Sequence, residues 1–317
     1  MTDTGLTLVR VQADLGAGKK GAAQGAAALL EAARSSHVNT VLALPQVEIP
    51  LIASDDPPPD QTPFSKHIDV LLGYQRKVAE QITGLLHTGQ LPIVISGDHS
   101  SAAGVIAGLK AAHPGERLGV IWIDAHADMH SPYTTPSGNL HGMPLAASLG
   151  EDNLACAIRQ PDEHTIQQWN AMKNMASVAP KILGDDLCFI GVRSTEKAED
   201  VLIKQHRIRN YTVNEVRSKG VPEIAEEVLK QLAHCTRIFV SFDVDCMDPS
   251  VSSATGTPVE NGFFLEEARE LVRTLLASPS ICCFEITEIN PTLEAGDQMA
   301  RAALDVLKAG MESLTHA

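Results

Sequence analysis

Short runs of β-branched and apolar residues alternate along this chain with longer Ala- and Leu-rich stretches whose apolar positions recur at helical spacing. TLVRVQADL is followed by AAQGAAALLEAA, PIVISG by SAAGVIAGLKAA, and CCFEITEI by MARAALDVLKAG, with LGVIWIDA, DLCFIGV and RIFVSFDV between them. This alternation predicts βαβ units, and so an α/β fold with a mainly parallel sheet and helices on both faces. VLALPQ reads as the second strand. One stretch breaks the pattern, Asp55 to Thr62 with its three consecutive prolines, and another helical pattern follows at once. It reads as a surface loop within a single domain covering residues 1–317, which hold no internal repeat and no low-complexity tail.

Composition narrows the partners. A chain of 317 residues, 44% hydrophobic and 20% charged, can bury a large core. Asp and Glu outnumber Lys and Arg by 39 to 25, a net charge of −14, which repels phosphate backbones, and no basic block offsets it. Nucleic acid is therefore not an expected partner. The N-terminal MTDTGLTLVR lacks a signal-like apolar region and no apolar run approaches the ~20 residues of a membrane span, so a cytoplasmic protein with no membrane partner is expected. The six cysteines form no CxxC pair and several lie in apolar runs, which predicts buried, reduced thiols.

In open α/β sheets ligands bind beyond the carboxyl ends of the strands, and the polar clusters of this sequence fall there. Gly16 to Gly21 fits the dinucleotide pattern GxGxxG, but VLALPQ brings no carboxylate until Glu48, so the second half of that signature is missing. A glycine-rich turn entering a helix accounts for the same residues. LGVIWIDA runs into Asp124, His126 and Asp128 at every second position, which in extended chain would point all three the same way. RIFVSFDV ends in Asp243 and Asp245, with Cys246 of opposite parity, and PIVISG ends in Asp98 and His99.

Any one of these residues alone is an ordinary helix cap or a satisfied polar group. Together, four carboxylates without a Lys or Arg among them would repel severely unless cations compensated. Two divalent ions balance them, and the proposed ligands are His99, Asp124, His126, Asp128, Asp243 and Asp245. Carboxylate and imidazole ligands without thiolate favour Mn²⁺, with Co²⁺ or Ni²⁺ as alternatives. Such a pair can lower the pKa of a water and aim it at an electrophilic carbon, so hydrolysis is expected.

These residues resemble the ureohydrolase superfamily of arginases and agmatinases, through GDHS at 97–100, DAHADMH at 124–130 and SFDVDCMDPS at 241–250. The resemblance implies a three-layer α/β/α fold and homo-oligomers, trimers or hexamers. It also implies that Asp124 and Asp243 bridge the ions, one ion adding His99 and Asp128 and the other His126 and Asp245. The segment from Thr134 to Gly142 looks like the arginase loop for the amino-acid end of arginine, in which Ser137 and Asn139 bond the carboxylate and His141 moves protons. Thr257 and Glu288 match family positions, Glu288 being the expected partner of the guanidinium, while Glu285, of opposite strand parity, is expected to be structural. Asp128, His141 and Glu288 are thus the expected catalytic groups.

Two departures fall at the substrate tail. Arginases commonly carry Asn where this chain has His130, and Asp where it has Glu196, near the expected α-amino group. The expected activity is hydrolysis of L-arginine to L-ornithine and urea. The alternatives are agmatine, a guanidino acid or guanidine as substrate, and a non-enzymatic scaffold or regulator, which would typically have lost metal ligands.

Overall fold

Eight parallel strands form one sheet in the computed structural model, which describes residues 5–51 and 62–314. The chain runs β1 (Leu6–Gln12), α1 (Gly25–Ser35), α2 (Asn39–Leu42), β2 (Gln46–Pro50), α3 (Ile68–His87), β3 (Leu91–Ser96) and α4 (Ala102–Ala112). It continues through β4 (Leu118–Ile123), α5 (Pro144–Leu149), α6 (Glu163–Lys173), β5 (Leu187–Ile190), α7 (Lys197–Gln205), β6 (Arg209–Tyr211), α8 (Val213–Lys219) and α9 (Val221–Gln231). The last elements are β7 (Arg237–Asp243), α10 (Leu265–Leu276), β8 (Ile281–Thr287) and α11 (Gln298–Leu314). The strand order is β2-β1-β3-β8-β7-β4-β5-β6, with every neighbouring pair parallel.

Alternate strand residues feed two cores. Ile93, Ile95, Ile121, Ile123, Val240, Phe242, Phe284 and Ile286 pack with Leu29, Ile224, Leu271 and Leu304 from α1, α9, α10 and α11. Val94, Val120, Trp122, Phe239 and Cys283 face the other way, onto Val78, Ile82, Val105 and Ile106 of α3 and α4. This is the period-2 signature of strands covered on both sides, and each fully buried side chain of this size contributes about 1.5–3 kcal/mol.

Two local expectations need correction. VLALPQ is not a strand: its first residues close α2, and the strand begins only at Gln46, after Pro45. Proline has no N–H for the ladder, whereas its carbonyl accepts from Leu8 N at 2.9 Å, so pairing with β1 starts one residue later. The three-residue edge strand β6 is too short to show a period. The stretch from Asp55 to Thr62 lies, except for Thr62, outside the described residues. All six cysteines are free thiols, five of them buried and Cys156 half-buried.

The four central strands, β3, β8, β7 and β4, end side by side. Their carboxyl ends carry, in that order, His99, Glu288, Asp243 with Asp245, and Asp124 with His126 and Asp128.

Candidate active site

The carboxylates turn their own backbone to bring the next polar residue into the crevice. Asp124 Oδ1 accepts from His126 N at 2.6 Å, and Asp243 Oδ1 accepts from Asp245 N at 2.8 Å. These side-chain turns replace the extended geometry expected from the sequence. β4 stops at Ile123, Asp128 adopts a left-handed backbone with φ 49°, and Val244–Cys246 is a short 3₁₀ turn. Convergence of the five residues therefore rests on local turns, not on strand parity.

His99 and His126 organise the cluster. His99 Nδ1 lies 3.0 Å from Asp124 Oδ2 and 3.1 Å from both Asp128 Oδ2 and Asp243 Oδ2. His126 Nδ1 lies 3.0 Å from Asp245 Oδ2 and 3.6 Å from Asp124 Oδ1, so the two oxygens of Asp124 face different histidines. Thr257 Oγ1 donates to Asp245 Oδ2 at 3.1 Å.

The His99 ring is fixed from behind by residues whose role there the sequence did not reveal, Glu285, expected to be structural, among them. It stacks on Trp122 with ring centres 3.9 Å apart, and its Nε2 meets Ser241 Oγ at 2.8 Å. Ser241 donates to Glu285 Oε2 at 2.9 Å, and Ser96 donates to Glu285 Oε1 at 2.8 Å. Having given its one hydrogen to Glu285, Ser241 can only accept from His99, so Nε2 carries a proton and Nδ1 is the nitrogen turned to the carboxylates. Glu285 is thus the far end of a chain of hydrogen bonds that orients His99.

Facing three carboxylate oxygens, Nδ1 calls for either a second proton or a cation between them: burial would lower the His99 pKa, but Asp124, Asp128 and Asp243 raise it well above its ordinary value. His99 Nδ1 and Asp124 Oδ2 are buried and lack hydrogen-bond partners. Among the described residues none of the four carboxylates has a Lys or Arg ion-pair partner. Burial, then the charge of Asp124, pushes the Asp128 carboxyl up to about 6, and burial with neighbouring carboxylates holds Asp243 and Asp245 above their ordinary range. Asp124 goes the other way: burial would raise it, but the neighbouring His126 and His99 hold it low. Two sets of ligand-type atoms each close around one point, His99 with Asp124 and Asp128, and Asp124 with His126 and Asp245. The donor set fits a pair of divalent cations.

Above the cluster, Glu288 ends β8 with a left-handed φ of 66°, held by Glu288 N donating to Gly97 O at 2.8 Å. Its Oε1 accepts from His99 N at 3.0 Å and lies 3.0 Å from His141 Nδ1, which leaves Oε2 free, opposite Gly256. A strained backbone at this point is the kind of outlier that functional constraint maintains. Burial would lower the His141 pKa, but the Glu288 carboxylate, with Asp128 and Asp98, raises it to about 9.

The cavity over these groups measures about 280 Å³ and is lined also by His130, Ser137, Asn139, Glu196 and Thr257, so every expected site residue faces it except the buried Asp124. His130 Nε2 hydrogen-bonds Glu196 and lies 3.6 Å from Glu199 Oε2, while its Nδ1 is 3.2 Å from Thr134 Oγ1. The two residues that depart from the arginase pattern therefore pair with each other. Glu199, which the sequence did not single out, is buried and accepts from Met129 N and Glu196 N at 3.1 and 3.0 Å. Asp98 caps the turn into α4 and accepts from Gly16 N at 2.7 Å, so the GxGxxG segment packs beside the site.

Known proteins share this fold. The family model described as "Arginase family" matches residues 4–311. An arginase of Bacillus caldovelox is 35% identical over 232 residues, 73% of this chain and 72% of its own length. One from Bacillus subtilis is 32% identical over 243 residues, 77% and 76% of the two chains. The crystal structure of the Bacillus caldovelox arginase superposes with a TM-score of 0.84 at 30% identity over 99% of each chain. The fold is that of this group, and the chain belongs to the arginase family.

Proposed function

We propose that this chain hydrolyses L-arginine to L-ornithine and urea with two divalent ions, Mn²⁺ by preference. His99 and Asp128 would hold one ion, His126 and Asp245 the other, and Asp124 and Asp243 would serve both. When bound, the ions would supply positive charge that lowers the pKa of a water and stabilises negative charge on the attacking oxygen. Glu288 Oε2, which has no hydrogen-bond partner and belongs to a residue lining the cavity, pairs with the planar guanidinium and places its central carbon over the cluster. Water adds to that carbon, the bond to the chain nitrogen breaks, and the departing amine takes a proton from an acid such as the His141 imidazolium. Ser137 and Asn139, neutral donors at the mouth, suit the α-carboxylate.

One observation carries the reading: a cavity whose floor needs cations, whose wall presents one unpaired carboxylate oxygen, and whose rim offers neutral donors. A complete set of ligand residues in one pocket weighs against a scaffold or regulator. The family resemblance extends the proposal to a homo-oligomer, trimer or hexamer, in the cytoplasm. Among the described residues no helix is long and apolar enough to cross a membrane.

The contact between His130 and Glu196 favours a second reading. A carboxylate already engaged by imidazole is a poorer partner for an α-ammonium, which points to a guanidino acid without one. Asn139→Ala separates carboxylate-bearing substrates from the rest. It is expected to lower kcat/KM for L-arginine roughly tenfold, the value of a hydrogen bond to a charged group, and to leave agmatine unaffected. Equal losses on both would contradict a carboxylate at this loop.

A further inference from the structure

The side chain of Asn139 is gripped by two residues that no active-site motif includes. Lys66, just before α3, donates from Nζ to Asn139 Oδ1 at 3.0 Å. An ammonium has no acceptor, so this contact fixes which end of the amide is which: the oxygen faces Lys66 and the NH₂ is left over. On the NH₂ side stands Gly18, where an added Cβ would come within 2.9 Å of Nδ2, so the absence of a side chain at this position of the turn after β1 makes room for that end of the amide.

The backbones are locked together as well. Lys66 N donates to Gly138 O at 2.8 Å. Gly138 has φ +77°, and a Cβ there would lie 2.0 Å from Pro63 O, so the two segments touch main chain to main chain. From the other side Arg159 holds the same loop, donating to Thr135 O at 2.9 Å and to Pro136 O at 2.8 Å.

We propose that Lys66 is a specificity-determining positioning residue, whose ammonium holds the Asn139 amide with its NH₂ presented to the carboxylate of the substrate. The inference rests on the carboxylate-binding role given above to the 134–142 loop. Lys66 acts through Asn139 and places a positive charge against the oxygen end of that amide. Without it the amide is free to flip and offer its oxygen to the substrate, which repels a carboxylate and is indifferent to a tail that lacks one.

The test is Lys66→Met in the metal-loaded full-length protein, with L-arginine and agmatine as paired substrates. KM for L-arginine is expected to rise about tenfold with kcat within about twofold of the parent, while agmatine kinetics stay unchanged. Calorimetric binding should weaken by a similar factor for L-ornithine and not for putrescine. Lys66→Arg, which still donates to Oδ1, should recover most of the loss. Adding Lys66→Met to Asn139→Ala should cost little more than Asn139→Ala alone, because the two act as one unit. Equal losses on both substrates, no change on L-arginine, or fully additive losses in the double variant would overturn the inference. The arginase reading fails separately, if the parent protein releases no urea from L-arginine. The Lys66 contrast is then read on whichever guanidino acid is hydrolysed against its decarboxylated counterpart, and a parent with no preference for a carboxylate would overturn the inference too.

Discussion

Asp243→Asn is expected to bind at most one divalent ion per chain and to release urea at least about 10³-fold more slowly, since metal charge stabilisation contributes several kcal/mol to such transition states. Asparagine keeps the oxygen that accepts from Asp245 N at 2.8 Å, so the turn that aims Asp245 is preserved while the shared charge is lost. The same variant should be the more stable of the two proteins when metal is stripped. In the metal-free parent, burial and then the charges of Asp245 and Asp124 raise the Asp243 carboxyl well above its ordinary value. A raised carboxyl contributes its stability below the unfolded pKa of about 3.9 and loses it as pH rises through the folded pKa. Asparagine does not titrate, so the gap between the chelated proteins should open in favour of the variant from pH 4.5 to pH 8. Metal content by mass spectrometry and thermal melts at these two pH values check both halves. A variant that keeps two ions and the parental rate would refute the shared role of Asp243.

Glu288→Gln is expected to retain both ions and lose about 10²- to 10³-fold in kcat/KM on L-arginine, because removing one partner of a buried charge pair costs about 2–5 kcal/mol. Glutamine Oε1 can still accept from His99 N, now at 3.0 Å from Glu288 Oε1, and the left-handed turn after β8 keeps its backbone bond from residue 288 to Gly97 O. What goes is the negative charge facing the guanidinium. Burial would raise the Glu288 pKa, but His141 holds it low, so the parent carboxylate stays ionised through the neutral range and the loss should not depend on pH there. Steady-state kinetics with metal analysis of the same sample decide the matter. Loss of metal in step with activity would place Glu288 in the ligand set instead.

Much of this was legible because β3, β4, β7 and β8 are covered on both faces and each ends in polar residues that no helix cap explains as a set. The cluster itself followed from charge: four carboxylates without a basic residue demand cations in any fold that brings them together. What the sequence hid depends on long-range or strained geometry. Ser241 and Glu285 lie 44 residues apart, and Glu285 meets Ser96 across 189, so the chain that orients His99 leaves no local pattern. Parity placed Glu285 away from Glu288 but missed that it lies beneath His99. Parity also misdescribed Asp124 to Asp128, where side-chain turns and a left-handed Asp128 replace the extended chain. The pairing of His130 with Glu196 joins positions 66 residues apart, and only contact shows that the two departures from the arginase pattern form one unit.

The central claim, that this site opens the guanidinium of L-arginine, is tested most directly by product analysis of the Mn²⁺-loaded protein supplied with L-arginine, agmatine, 4-guanidinobutyrate and guanidine. L-Arginine should yield urea and L-ornithine in equal amounts and with the highest kcat/KM of the four. No urea from L-arginine, with turnover of one of the other three, would contradict it.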